Sequence, residues 1–311
     1  MPNWNEILNQ IKEAGSTQDI LRRRYLKRLS DYTRRNVILY YSGWLQKTGP
    51  EHRPNLSISD ADKNGLMSVI HKLDRRRGLD LLLHTPGGDM AATESIITYL
   101  RSMFQNDIRA VVPQLAMSGG TMLACACKEI VMGEQSSIGP FDPQIGAVPA
   151  QAIKEEFNRA AGEMAANPQK AFLWQPILQK LNPGFITQCE KVIDMADHVV
   201  KTNLENCMFQ GEPDAAEKAQ KVVNELGSHA MTKMHARHID KAKAQAMGLK
   251  IVSLENDNRL QDLVLSVHHC CMLTFEQTSA VKLIENQRGT CYAVTAPSVI
   301  AISPQMGVPA L

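Results

Sequence analysis

Between residues 79 and 133 the sequence alternates short apolar runs with segments of helical period. "LDLLLHT" (79–85) is apolar almost throughout, "MAATESIITYLRSMF" (90–104) is amphipathic, and "IRAVVPQ" (108–114) is apolar again. A helical segment from Ser118 to about Lys128 follows, and "EIVMG" (129–133) closes the series. Strands linked by whole helices run parallel, because a parallel pair needs a long crossover whereas a hairpin needs only a tight turn. Strands that are apolar on both faces predict a sheet covered on both sides. The rhythm begins earlier with "NVILYYSG" (36–43), a strand stopped by glycine. A helix over 60–78 then opens on capping aspartates and closes on Gly78.

After Gly133 the segment "EQSSIGPFDPQIGAVP" reads as a loop rich in glycine and proline. From about residue 149 helical patterns dominate, over 149–165, 167–181, 184–209, 213–226 and 231–247. A short strand lies within 247–257, a last helix covers 258–286, and 287–311 forms an irregular tail. Residues 1–35 form a basic helical arm, with twice as many lysines and arginines as acids. Such an arm predicts docking to a membrane surface or another protein. No aromatic residues interleave usefully with its basic ones, so nucleic-acid binding is not expected.

Hydrophobic residues make up 44% of the chain, charged residues 21%, and the net charge is +2, as in an ordinary globular domain. The apolar run "LVLSVHHCCMLTF" is too short to span a bilayer, and the N-terminus has acids and amides where a signal peptide has an apolar core. A cytoplasmic protein is therefore expected. The seven cysteines lack metal-site spacing and read as reduced, buried thiols. With no P-loop, no G-x-G-x-x-G and no H-E-x-x-H, neither a cofactor nor a metal is expected.

Two glycine-bearing breaks fall at the carboxyl ends of consecutive parallel strands: "HTPGGDM" (84–90) and "AMSGG" (116–120). Ligands bind at that edge of an open parallel sheet. Ser118 at the start of a helix is a candidate nucleophile, and the amides of Gly88 and Gly119 are candidate oxyanion donors. The plainer readings are a helix cap for Ser118 and a tight turn for the glycine pair. The base stays open on the residues alone. Lys154 lies beside the apolar stripe of its helix, where a desolvated amine would have a lowered pKa. Asp142 can orient a base, and His235 and His238 are spaced to share a helix face. His84 precedes the Gly-Gly turn but sits too early in its strand.

The runs "LDLLLHTPGGDMAATESIITYLRSMF", "IRAVVPQLAMSGGTMLACACKEIVMG" and "SSIGPFDPQ", in this order and spacing, resemble the serine dehydrogenase proteinase family. That family is a distant relative of Clp protease and signal peptide peptidase A. The resemblance covers roughly 36–160 and continues more loosely to about 286. It implies an α/β fold, a Clp/crotonase-type superhelix of β-β-α units with a helical C-terminal part, forming one peptidase domain over 36–286. It implies a serine endopeptidase acting on a peptide or protein substrate, with Ser118 as nucleophile and Gly88 and Gly119 as oxyanion donors. Signal peptide peptidase-like relatives use a Ser-Lys dyad, which by position implies Lys154 as base. Clp protease places its histidine where "FDPQ" stands here, and no histidine occurs there. A Ser-Asp-His triad would draw on Asp142 and the late histidines His235 or His238. Relatives assemble into rings or stacked trimers, so a homo-oligomer is expected. The alternatives are a crotonase-type acyl-CoA enzyme and a catalytically inactive oligomeric scaffold or regulatory subunit on the same fold.

Overall fold

The computed structural model describes residues 18–146, 148–227 and 234–296. The apolar runs become strands β1 (Asn36–Ser42), β2 (Leu79–His84) and β3 (Ile108–Val112). Next along the chain come β4 (Leu115–Ala116), β5 (Glu129–Met132), β6 (Ser137–Ile138), β7 (Gln144–Ile145), β8 (Val148–Pro149) and β9 (Ile239–Asp240). The last three are β10 (Ile251–Ser253), β11 (Ala280–Asn286) and β12 (Cys291–Thr295). Seven of these form one sheet in the order β10-β5-β3-β2-β1-β11-β12. The five from β10 to β1 are parallel, and β11 and β12 are antiparallel additions at the far edge.

Every residue of β1 and β2 is buried, as a two-faced sheet requires. On one face Ile38, Leu81, Leu83, Ala110 and Ile130 pack beneath α2 (Asp62–Ile70), α3 (Met90–Phe104) and α4 (Gly119–Cys125). On the other, Leu39, Leu82, Val111 and Val131 pack beneath α1 (Gln18–Thr33) and the C-terminal α10 (Asn258–Gln277). Each such aliphatic side chain contributes about 1.5–3 kcal/mol on burial. A three-stranded side layer, β4-β6-β9, runs above the main sheet. β3 is followed by β4 and α4, and β5 by β6, so the β-β-α unit recurs. The helical part holds α5 (Ala150–Ala166), α6 (Ala171–Leu178), α7 (Phe185–Asn203), α8 (Ala215–Leu226) and α9 (Lys241–Met247).

Four expectations change. The helix expected over 258–286 ends at Gln277, and Ala280–Asn286 becomes β11. The reason is tertiary: β1 needs a partner on its outer edge, and Tyr40 pairs with Ile284 there. The expected irregular tail contains β12, the hairpin partner of β11; residues 297–311 lie outside the described residues. Of the helix expected over 231–247, residues 231–233 lie outside the described residues, 234–238 are turn and irregular, and the helix α9 starts only after Asp240, which caps it by accepting from the Lys243 amide at 2.9 Å. His235 and His238 therefore lie in the turn before β9 and share no helix face. Residues 1–17 of the basic arm lie outside the described residues, and from Gln18 onward the arm is part of the domain. Its Arg22 is buried, bonding Glu285 of β11 at 2.5 Å and the Thr274 hydroxyl at 2.9 Å. Among the described residues no helix is long and apolar enough to cross a membrane.

Candidate active site

Both glycine breaks are sewn together by backbone bonds beyond the ends of β2 and β3. The Thr85 amide donates to the Leu115 carbonyl at 3.1 Å, and the Met117 amide donates to the Thr85 carbonyl at 3.0 Å. The "TPGG" turn is thereby laid against "AMSGG". Gly87 adopts φ +94, and a Cβ there would fall 2.6 Å from the Ser118 Cβ and 2.8 Å from the Gly119 amide. A Cβ on Gly88 would fall 2.2 Å from the Ile58 amide nitrogen. No side chain fits at either place.

Ser118 has φ 52 and ψ −116, a conformation that costs a non-glycine residue about 1–3 kcal/mol. It precedes α4, yet its hydroxyl makes no capping hydrogen bond. The plainer reading of this serine as a helix cap is thereby removed. A strained strand-to-helix turn that leaves a serine hydroxyl unused is how nucleophile elbows present their oxygen. Among the described residues neither the Gly88 nor the Gly119 amide donates a hydrogen bond, and a Cβ built on Gly119 would lie 3.5 Å from the Gly88 nitrogen. Two unused donors thus sit side by side next to the serine.

The loop after β6 brings the acid. The Thr121 hydroxyl of α4 donates to the Ala116 carbonyl at 2.8 Å and accepts from the Gly139 amide at 3.0 Å, which pins "SIGPFDPQ" to α4. The Phe141 amide donates to the Leu226 carbonyl at 3.1 Å. Asp142 is 1% exposed; its Oδ1 lies 2.8 Å from His235 Nδ1, and its Oδ2 accepts from the Gln144 side-chain amide at 3.0 Å. Ser118, Gly88, Gly119, Met122, Phe141 and His235 all line one cleft of about 480 Å³.

Lys154 is placed elsewhere. It lies on α5, half-exposed, with its amine 3.5 Å from Glu190 Oε1 of α7, and it is not among the residues lining that cleft. His238 is exposed and does not line it either. His84 faces the opposite side of the sheet, against Tyr41, Trp44 and His268, and burial pushes its pKa down to about 3. Six of the seven thiols are buried and Cys291 is half-buried; burial pushes Cys125 up to about 12. Among the described residues no group of three or more His, Cys, Asp or Glu side chains is placed to hold a metal. Sequence reasoning passed over Ile58, whose backbone bridges Gly88 from a separate segment, and Ser57, which lines the cleft; their only signal is a short polar-apolar alternation in "NLSISD".

Three comparisons bear on this geometry. Two uncharacterized proteins of Methanocaldococcus jannaschii are similar to the chain. MJ0137 is 34% identical over 108 residues, 35% of this chain and 37% of that protein. MJ1495 is 36% identical over 102 residues, 33% of this chain and 35% of that protein. The chain therefore matches little more than a third of the length of these relatives. Among solved structures, a mutant of the 1510-N membrane-bound stomatin-specific protease aligns at a TM-score of 0.35 and 15% identity, over 67% of this chain and 79% of that one. The family model described as ClpP-like SDH-type serine proteinase matches residues 21–265. That span takes in β1 to β5, the serine turn, Asp142 and His235, and the chain belongs to the ClpP-like SDH-type serine proteinase family.

Proposed function

We propose that the protein is a serine endopeptidase with Ser118 as nucleophile, His235 as general base and Asp142 as the residue that orients it. The observation that carries this reading is the 2.8 Å pairing of His235 with buried Asp142 in the cleft that also holds Ser118. An ionised Asp142 accepts the proton-bearing Nδ1 of His235, which leaves the lone pair of Nε2 for the serine proton. Ser118 Oγ attacks the scissile carbonyl, its proton passes to His235, and the carbonyl oxygen becomes an oxyanion between the Gly88 and Gly119 amides. His235 then gives the proton to the departing amine, and water hydrolyses the acyl-enzyme by the same steps. Each oxyanion donor contributes about 2.7–4 kcal/mol to such a step. The pairing of Lys154 with Glu190, away from the cleft lining, supports the histidine over the lysine as base.

We propose a peptide chain in extended or unfolded form as substrate, and a homo-oligomer as the assembled state. The second proposal is supported by Val148, Phe157, Phe172, Leu173 and Ile177, which are exposed around α5 and α6, Phe172 to 70%.

A fluorophosphonate probe tests the chemistry. The expected result is labelling of Ser118 that is lost in Ser118→Ala and falls by about a thousandfold in rate in His235→Ala, while Lys154→Ala labels at the native rate. Native labelling in His235→Ala together with loss in Lys154→Ala would move the base to the lysine. No serine labelling in the intact protein would remove the peptidase reading.

A further inference from the structure

Beneath the Gly87–Gly88 turn lies a buried ion pair that is not among the residues lining the cleft. Lys282 of β11 and Asp62 of α2 are each 2% exposed, and Lys282 Nζ lies 2.8 Å and 2.9 Å from the two Asp62 oxygens. Tyr40 of β1 donates its hydroxyl to Asp62 Oδ2 at 2.6 Å. The pair has two further bonds, and both go to one short backbone segment. Lys282 Nζ donates to the Ser57 carbonyl at 2.8 Å, and Asp62 Oδ2 accepts from the Ser59 amide at 2.9 Å.

Between those two anchors sits Ile58, whose backbone clasps the oxyanion turn. The Ile58 amide donates to the Gly87 carbonyl at 2.8 Å, and the Ile58 carbonyl accepts from the Asp89 amide at 2.9 Å. These two bonds flank Gly88 on either side. The plane of the Gly87–Gly88 peptide, and with it the direction of the Gly88 N–H, is set by where Ile58 stands. Ser57 itself lines the cleft.

We propose that the buried Lys282–Asp62 pair is a positioning device for the oxyanion hole, holding Ser57–Ser59 so that the Gly88 amide points at the developing oxyanion. The proposal rests on the serine peptidase reading above. Stability alone does not account for the pair. Removing two charges from water costs about as much as their attraction returns, and an apolar pair of similar size is commonly as stable or more so. An apolar pair cannot grip a carbonyl on one side of Ile58 and an amide on the other. Lys282 and Asp62 do both, and Tyr40 uses remaining acceptor capacity on the carboxylate.

The test uses the full chain with three forms: native, Asp62→Asn, and the double variant Lys282→Met/Asp62→Leu. The double variant removes both charges together, so it leaves no stranded ion and keeps the fold, checked by its melting temperature. Three readouts are taken: steady-state cleavage of an unstructured peptide, the rate of fluorophosphonate labelling at Ser118, and hydrogen exchange of the peptide covering 86–89. The expected result is a kcat about 100-fold lower in the double variant, with KM changed less than about threefold, because the donor is misplaced rather than removed. Labelling slows in step, exchange over 86–89 quickens, and Asp62→Asn falls between. Native kcat in a folded double variant would overturn the proposal and leave the pair as packing only. Unchanged exchange over 86–89 would overturn it as well. If the native protein neither cleaves nor labels while exchange still quickens in the double variant, the peptidase reading fails and the mechanical link from the pair to Gly88 stands.

Discussion

Ser118 carries two properties that seldom coincide: a backbone conformation suited to glycine and a hydroxyl that caps nothing. Strain of about 1–3 kcal/mol persists at such a residue because the neighbouring structure dictates it. Here the Thr121 amide bonds the Ser118 carbonyl at 2.8 Å, and Gly87 leaves no room on the other side. Relief of that strain is measurable. Glycine at this position adopts the same φ without steric cost but adds about 0.5–1 kcal/mol of chain entropy to the unfolded state. Ser118→Gly is therefore expected to hold or raise the melting temperature while abolishing probe labelling. A fall of several degrees would show that the conformation is not strained. The serine and both glycines were legible in the sequence, because strand, turn and helix start are encoded locally in "HTPGGDM" and "AMSGG". The Asp142–His235 pair was not: His235 is one of several late histidines in the sequence, and only the fold sets it 2.8 Å from Asp142.

Elements place charge where sequence pattern predicts none. β11 is buried along its whole length, yet it carries Lys282, Glu285 and Asn286. Each is answered from another element: Lys282 by Asp62 of α2, Glu285 by Arg22 and Arg23 of α1, and Asn286 by the Val69 carbonyl of α2, to which its side-chain amide donates at 2.6 Å. A buried strand whose charges fall three residues apart, as Lys282 and Glu285 do, resembles a helix in single-sequence terms, which is why a helix is expected on to residue 286. The other elemental feature is the histidine layer between β2 and α10. His84 and His268 lie 5.5 Å apart between ring centroids, and burial holds His84 at about 3 instead of 6.5 and His268 well below 6.5. Above pH 6.5 both are neutral in the folded and unfolded chain and cost nothing. Between 6.5 and 3 the unfolded chain binds a proton that folded His84 refuses, so stability falls as pH falls. For His84 alone the loss from pH 7 to pH 5 is expected to be about 2 kcal/mol. Urea midpoints at the two pH values should show this loss in the native chain and a smaller one in His84→Leu. An equal slope in both would mean that His84 takes up its proton in the folded state.

The described residues form a mixed sheet with the cleft of Ser118 beyond its parallel strands and exposed apolar residues on the helices α5 and α6. Large monomeric proteins seldom leave several bulky apolar residues exposed together, and such patches mark interaction sites. Around α5 and α6 the patch is reinforced by an apolar groove of about 260 Å³ lined by Ile145, Ile153, Phe157, Ile177 and Phe185. If it is where copies meet, Phe172→Asp with Leu173→Asp should convert the native assembly to a monomer in sedimentation velocity. An unchanged sedimentation coefficient would place the contact elsewhere. β7, which leads into this region, also carries Gln144 of the active-site cleft, so assembly and catalysis would share one hairpin.

The amino-acid sequence by itself determined the parallel core of β1, β2, β3 and β5, the helices between its strands, and the serine with its two glycine amides. It did so because burial on two faces, helical period and glycine turns are written into neighbouring residues. The tertiary structure decided the rest. It made Ala280–Asn286 a strand by offering the open edge of β1, brought His235 to Asp142 across the chain, placed Lys154 against Glu190, and set Lys282 and Asp62 beneath Ile58. Each of these depends on partners far apart in sequence, and no local pattern records which distant group a side chain will meet when the sheet closes.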